Sequence, residues 1–208
     1  MNTPQRSRDG ASPPTARSPV ARNLRTIGAL AALFFLPIAV SFWLYYSGWS
    51  PAAHVNHGEL VQPPRVLPIV SLPRAGGAPV ANVFGKRWAL VYVGDGRCDS
   101  ACRYALLVMR QTQGVLGNDM PRVERVFLAT AHCCDEPFLG RAYPGLIVLD
   151  ASAGSASSLR ASFAAANRPA MIFVVDPLGN LMMRYDLRGD PKGLLQDLQR
   201  LLRLSHIG

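Results

Sequence analysis

What this 208-residue sequence has little of is negative charge: 13 Asp and Glu stand against 22 Lys and Arg, leaving a formal net charge of +9. An excess of that size suits an anionic partner, but its placement argues against nucleic acid. Arg6, Arg8, Arg17, Arg22 and Arg25 precede the first apolar run with only Asp9 opposing them, so almost half of the excess lies in one N-terminal tail. Elsewhere the arginines are scattered, and the aromatic-rich basic stripe that nucleic-acid binding requires is missing. Internal repeats are missing as well, which excludes a repeat array. Length sets a further bound, because a tail and an anchor leave room for one domain of about 100–150 residues and no second core. Cysteine is sparse, and all four fall in two short motifs.

Taken in order, residues 1–26 are rich in Pro, Ser, Thr and Arg with almost nothing to bury, the composition of a disordered tail on the cytoplasmic side. Residues 27–46 carry no charge and are long enough to cross a bilayer as a helix, with Pro37 accommodated as a kink. Arg22 and Arg25 in front, with Trp43, Tyr45, Tyr46 and Trp49 behind, place the N-terminus in the cytoplasm and the chain beyond the helix in the periplasm. The apolar core and its leader are both too long for a cleaved signal peptide, so an uncleaved anchor is the expectation. Residues 47–79 contain Pro51, Pro63, Pro64, Pro68, Pro73 and Pro79 and read as a stiff stalk. Within it Asn56-His57-Gly58-Glu59-Leu60 is the least linker-like portion. His54 and His57 are open to two readings there, metal ligands or solvated side chains.

From residue 80 to residue 208 the apolar pattern alternates between strand and helix. Strands are predicted near Val80–Phe84 and over Trp88–Val93, Val123–Thr130, Leu146–Asp150, Ala170–Val175 and Leu181–Asp186, the last two flanking a hairpin turn at Asp176–Asn180. Helices are predicted over Asp99–Leu116 and Ser155–Ala166. An amphipathic helix from Pro191, carrying Leu194, Leu195, Leu198, Leu201 and Leu202, ends the chain.

The buried strand before Gly96-Arg97-Cys98-Asp99-Ser100-Ala101-Cys102-Arg103 leads straight into the first of these helices. Partial positive charge and spare N–H donors at a helix N-terminus favour a thiolate, so Cys98 is the candidate nucleophile and Cys102 the sulfur that resolves its mixed disulfide. If both sit on the helix, their Cβ atoms lie about 5–6 Å apart, whereas a relaxed disulfide wants about 3.5–4.5 Å. That mismatch favours either a reducible bond or two thiolates holding a soft metal such as Cu(I). The competing reading is a pair of small buried apolar side chains.

The second motif, Ala131-His132-Cys133-Cys134-Asp135, follows a predicted strand, and in an open α/β sheet that loop shares an edge with the loop carrying Cys98. His132, Cys133 and Cys134 are therefore candidates to complete a metal site with Cys98 and Cys102, and one of Cys133 and Cys134 is a candidate to resolve a disulfide with them. A bond between the adjacent Cys133 and Cys134 is not expected. A surface loop with incidental thiols is the alternative.

The order strand, cysteine helix, strand, helix, strand, hairpin, strand, helix resembles a thioredoxin-like domain, a central mixed sheet flanked by helices, over about residues 80–204. In such domains a cis-proline opens the strand before the hairpin and faces the cysteine pair, and Arg168-Pro169-Ala170-Met171 looks like that segment, which makes Pro169 a third catalytic-site candidate. Three residues between Cys98 and Cys102, together with Val175-Asp176-Pro177-Leu178-Gly179-Asn180, are similar to the SCO family of copper-delivery proteins. Two positions depart from it: Arg103 stands where that family has proline, and Arg168 where it supplies a histidine ligand. The resemblance implies a single-pass protein of the bacterial inner membrane. Its role would be to assist assembly of cytochrome c oxidase through copper handling or thiol redox control of copper ligands, with oxidase subunits or another copper or thiol protein as partner. A general periplasmic thiol–disulfide reductase and a non-catalytic assembly scaffold are the alternatives.

Overall fold

The computed structural model describes residues 19–48, 56–134, 136–163, 170–205 and 207. The tail up to residue 18, His54, Arg168 and Pro169 lie outside the described residues. The chain divides into two compact units, Met1–Ala53 and His54–Gly208.

The first unit holds helix α1, Pro19–Tyr46. It begins eight residues before the apolar run, so the predicted disordered tail is helical from Pro19 onward. Proline at the first helical position, with the good helix formers Ala21, Arg22, Leu24 and Arg25 outnumbering Val20 and Asn23 behind it, accounts for the earlier start. Over Asn23–Tyr46 it is long and apolar enough to cross a membrane, and its large side chains, Phe34, Phe35 and Trp43 among them, are exposed. Pro37 sits inside the helix, and the hydroxyl of Ser41 donates to its carbonyl at 2.8 Å.

The second unit is built on one sheet. Its strands are β1 (Glu59–Val66), β2 (Leu72–Arg74), β3 (Gly77–Val80), β4 (Trp88–Gly94), β5 (Val123–Ala129), β6 (Leu146–Asp150), β7 (Met171–Val175) and β8 (Asn180–Asp186). They lie in the order β1-β8-β7-β4-β5-β6-β2-β3, with β4, β5 and β6 parallel and every other pair antiparallel. The central strands are buried on both faces, as a near-continuous apolar run requires. Trp88, Leu90 and Tyr92 of β4 point into one core layer; Ala89, Val91 and Val93 point into the other.

The first layer is closed by α2 (Ser100–Val115) and α5 (Pro191–Leu204), with Leu194, Leu198 and Leu202 of α5 each burying about 2 kcal/mol of apolar surface. The short α3 (Glu136–Ala142) joins that side through Leu139. On the other side lie Leu159 of α4 (Ser157–Ser162) and Phe163, whose ring meets Phe173 edge-on at 5.1 Å. The helix predicted over Ser155–Ala166 is thus shorter, α4 being preceded by a 3-10 turn at Gly154–Ala156, and residues 164–169 are outside the described set.

The stalk predicted over residues 47–79 requires correction. From Glu59 onward this stretch supplies β1 at one edge of the sheet and β2 and β3 at the other. Proline lacks the N–H of a ladder bond but is tolerated at a sheet edge, and Pro63 and Pro64 occupy the irregularity between Leu60 and Arg65 where β1 slips register against β8. The β7–β8 turn forms as expected. Asp176 accepts from the backbone N–H groups of Leu178 and Asn180 at 2.9 and 2.7 Å, and Gly179 takes the left-handed backbone the turn requires.

Candidate functional site

Strands β4 and β5 end level with each other, Gly94 opposite Ala129, so the loops that follow them meet at one edge of the sheet. In the first loop the Asp95 carboxylate accepts from the N–H of Arg97 at 2.9 Å, and Cys98 N–H donates to the Asp95 carbonyl at 3.1 Å. This tight turn leaves Cys98 at φ +48°, a left-handed backbone that a side-chain-bearing residue adopts at a cost of about 1 kcal/mol. Asp99 then caps α2, its carboxylate accepting from Cys102 N–H at 2.9 Å.

Cys98 and Cys102 are disulfide-bonded, with Cα atoms 5.0 Å apart. The expected mismatch assumed both residues on the helix. Cys98 instead stands before the cap, outside the helical spiral, and that places the two Cα atoms in the ordinary disulfide range of about 4.4–6.8 Å. Both are buried, at 2% and 1% exposure.

The second loop is stitched to the first. Thr130 N–H donates to Gly94 O and Gly96 N–H to Ala131 O, each at 2.8 Å. Gly96 has no room for a side chain: a Cβ there would fall 2.3 Å from the His132 carbonyl oxygen and 2.8 Å from the Cys133 Cα. His132, at φ +45°, turns its Nδ1 to the Asp95 carboxylate at 3.0 Å. The N–H of Arg97 first, and then His132, hold the Asp95 carboxyl below its ordinary pKa.

Cys133 and Cys134 are bonded to each other, against the expectation from their adjacency. The peptide bond between them is cis, and their Cα atoms lie 3.1 Å apart. Cys133 is exposed, whereas Cys134 is half-buried and packs against the core layer that holds Cys98 and Cys102.

The structure thus brings together the two cysteine motifs singled out in the sequence, with His132 between them. It does not gather Cys98, Cys102, His132, Cys133 and Cys134 as a metal site. Among the described residues no group of three or more His, Cys, Asp or Glu side chains is arranged to hold an ion, because the four sulfurs are paired and His132 faces Asp95.

Arg103 secures the first turn of α2. Its Nε donates to the Cys98 carbonyl at 3.2 Å and its guanidinium lies 4.9 Å over the Phe138 ring of α3. Tyr92 at the end of β4 has its phenol pushed up to about 12, by burial and then by the nearby Asp99 carboxylate.

A family model for the C-terminal domain of transmembrane-like, thioredoxin-like proteins matches residues 88–205. The chain belongs to this family. No curated protein sequence matches it. Among solved structures, apo Sco1 from Thermus thermophilus is 21% identical, with 73% of this chain and 99% of that one covered at a TM-score of 0.57. Copper-bound yeast Sco1 is 14% identical over 74% and 96% of the two chains at 0.52. A thiol:disulfide interchange protein from Bacteroides sp. is 18% identical over 67% and 90% at 0.51. At these identities the likeness establishes the thioredoxin-like fold, as the order of elements implied.

One feature of this family member was not anticipated from its sequence. The carboxylate of Asp197 on α5 is buried and collects the N–H groups of His57 and Gly58 at 2.7 and 2.9 Å, the Tyr185 hydroxyl at 2.9 Å and the His57 ring at 3.2 Å. Its burial opposes ionisation, but these donors outweigh that and hold its pKa below the ordinary value. His57 is therefore neither a free side chain nor part of a metal cluster among the described residues. It ties the segment before β1 to α5, with Gly58 pressed on the Tyr185 ring and Gly193 on the His57 side chain. The available signal was an aspartate on the leucine-rich face of the last helix. By register, Glu59 lies opposite Arg184, Asp186 opposite Met171 and Ile172 opposite Tyr92, so this knot stands at the same end of the sheet as the cysteine loops.

Proposed function

We propose that this protein is a membrane-anchored, periplasm-facing thiol–disulfide protein that assists assembly of cytochrome c oxidase by keeping the copper-ligand cysteines of a partner reduced. The observation that carries this reading is the Cys98–Cys102 disulfide at the head of α2, on a fold shared with Sco1 proteins and a thiol:disulfide interchange protein. In the reduced form the Cys98 thiolate attacks the partner's disulfide, one partner sulfur leaves as a thiolate, and Cys102 displaces the other to close the Cys98–Cys102 bond. The helix N-terminus favours the thiolate, although the Asp99 cap supplies opposing negative charge. Arg22 and Arg25, ahead of the apolar run within α1, retain the N-terminus in the cytoplasm of a bacterial cell, and the periplasmic domain starts with the segment before β1.

Copper delivery is the second reading, favoured by the likeness to copper-bound yeast Sco1 and by two sulfurs that, once reduced, form a soft donor pair suited to Cu(I) as cargo. Titration of the reduced full-length chain in detergent with Cu(I) separates the two. One copper held against a modest competitor and lost in Cys98→Ser/Cys102→Ser supports delivery, and partial loss in Cys133→Ser/Cys134→Ser places the second pair at the metal. No retained copper, with thiols that still reduce an oxidised dicysteine copper-site peptide, supports the redox role. Equal turnover on unrelated disulfides points to a general reductase, and intact oxidase assembly in the Cys98→Ser/Cys102→Ser strain points to a scaffold.

A further inference from the structure

The two disulfides differ in who can reach them. Cys98 and Cys102 are 2% and 1% exposed, so a protein partner meets neither sulfur in this oxidised form. Cys133 is exposed on the neighbouring loop, and its bonded partner Cys134 turns inward against the core layer containing the buried pair. The loops share backbone hydrogen bonds, and the absence of a side chain at Gly96 lets the backbone of His132 and Cys133 lie directly on the turn two residues before Cys98. Each loop also holds a non-glycine residue in the left-handed region, Cys98 in one and His132 in the other. Such outliers cluster where a site must hold a particular geometry.

We infer that Cys133–Cys134 is the receiving disulfide of a relay: it takes electrons from a protein dithiol and passes them to the buried Cys98–Cys102 pair. This rests on the preceding reading of Cys98–Cys102 as the working pair. The incoming dithiol attacks Cys133, forming a mixed disulfide and releasing Cys134 as a thiolate on the inner side. The donor's second thiol then closes the donor disulfide and frees Cys133. Cys134 attacks Cys98, breaking the Cys98–Cys102 bond and releasing the Cys102 thiolate. Cys133 finally attacks Cys134, restoring the outer disulfide and releasing the Cys98 thiolate. One donor dithiol is oxidised to its disulfide, Cys98–Cys102 is reduced to two thiols, and the two donor protons end on Cys98 and Cys102. Exchange of this kind requires only access and alignment of sulfurs.

The test uses the full-length chain in detergent with reduced thioredoxin as a bulky dithiol and a water-soluble phosphine as a small reductant, followed by acid quench, alkylation and peptide mapping. Relay predicts that Cys133→Ser/Cys134→Ser slows reduction of Cys98–Cys102 by thioredoxin at least tenfold and leaves the phosphine rate unchanged. It also predicts that Cys133→Ser/Cys102→Ser, mildly oxidised, traps a Cys98–Cys134 disulfide. An unchanged thioredoxin rate, or free thiols in the trapping variant, overturns the relay. The phosphine rate checks that Cys133→Ser/Cys134→Ser retains the native buried pair. Should the wild-type pair, once reduced, fail to act on an oxidised copper-site peptide while the trapped disulfide forms, the proposed function falls and the relay stands.

Discussion

Removing the Asp197 carboxylate should destabilise the domain by an amount the geometry allows to be worked out. One oxygen accepts from His57 N–H, Gly58 N–H and the Tyr185 hydroxyl, and the other faces the His57 ring. Asp197→Ala leaves three donors without an acceptor at about 1 kcal/mol each, a loss of about 3 kcal/mol. Asp197→Asn keeps the shape and one accepting oxygen and gives up only charge assistance, about 1–2 kcal/mol. For a domain of roughly 150 residues the alanine loss corresponds to a fall in Tm of about 6–12 °C.

The pH dependence has a definite sign. The folded carboxyl titrates below its ordinary value, so its contribution is fully present above the unfolded pKa of about 3.9 and is lost as pH falls through the lowered folded value. The wild-type advantage over Asp197→Asn should therefore shrink on the acid side alone. Urea unfolding of the full chain followed by ellipticity, at several pH values, measures both effects. A loss under about 1 kcal/mol for Asp197→Ala, or equal losses for the two variants, would refute the view that this carboxylate anchors the segment before β1.

Gly96→Ala should push the second cysteine loop off the first, because its Cβ meets backbone atoms of His132 and Cys133 that cannot swing aside; proteolysis within residues 130–134 at least tenfold faster than wild type is the readout, and an unchanged rate counts against the contact. Phe163→Ala removes a fully buried ring packed on Phe173 and should cost about 3–5 kcal/mol by urea unfolding, with a smaller loss indicating that the layer under α4 collapses into the space. Tyr92 should resist deprotonation to about pH 12 in an ultraviolet titration, and removing the Asp99 charge with Asp99→Asn should bring its midpoint down. Arg103→Ala should loosen the first turn of α2 by about 1 kcal/mol, read as faster amide exchange at Cys102, since it loses the bond to Cys98 O and the contact with Phe138.

Local signals were sufficient for much of this architecture. The apolar run around α1, the buried β4, the capped helix after Cys98, the Asp-Pro-Leu-Gly-Asn turn and the leucine stripe of α5 each follow from patterns spanning a few residues, and their order implied the thioredoxin-like fold. The rule that loops after strand carboxyl ends share one edge of an open α/β sheet made the meeting of the two cysteine loops legible in the sequence, and the parallel pairing of β4 with β5 realises it. Other features depended on contacts that no local pattern encodes. Pro63 and Pro64 read as a stalk because proline lacks an N–H, yet a sheet edge leaves that position free, and only the pairing of β1 with β8 assigns the segment to the domain.

Helical spacing put Cys98 too far from Cys102 because one residue in the left-handed region moved it ahead of the cap. Asp197 and His57, 140 positions apart, became partners only when α5 packed beside the segment leading into β1. The chain itself determined the elements and the sulfur-bearing edge, since these rest on periodicity and near-neighbour chemistry. Tertiary structure decided which sulfurs are buried, which are exposed and what holds the N-terminal segment, because burial and long-range hydrogen bonds are properties of the packed sheet and not of any stretch along it.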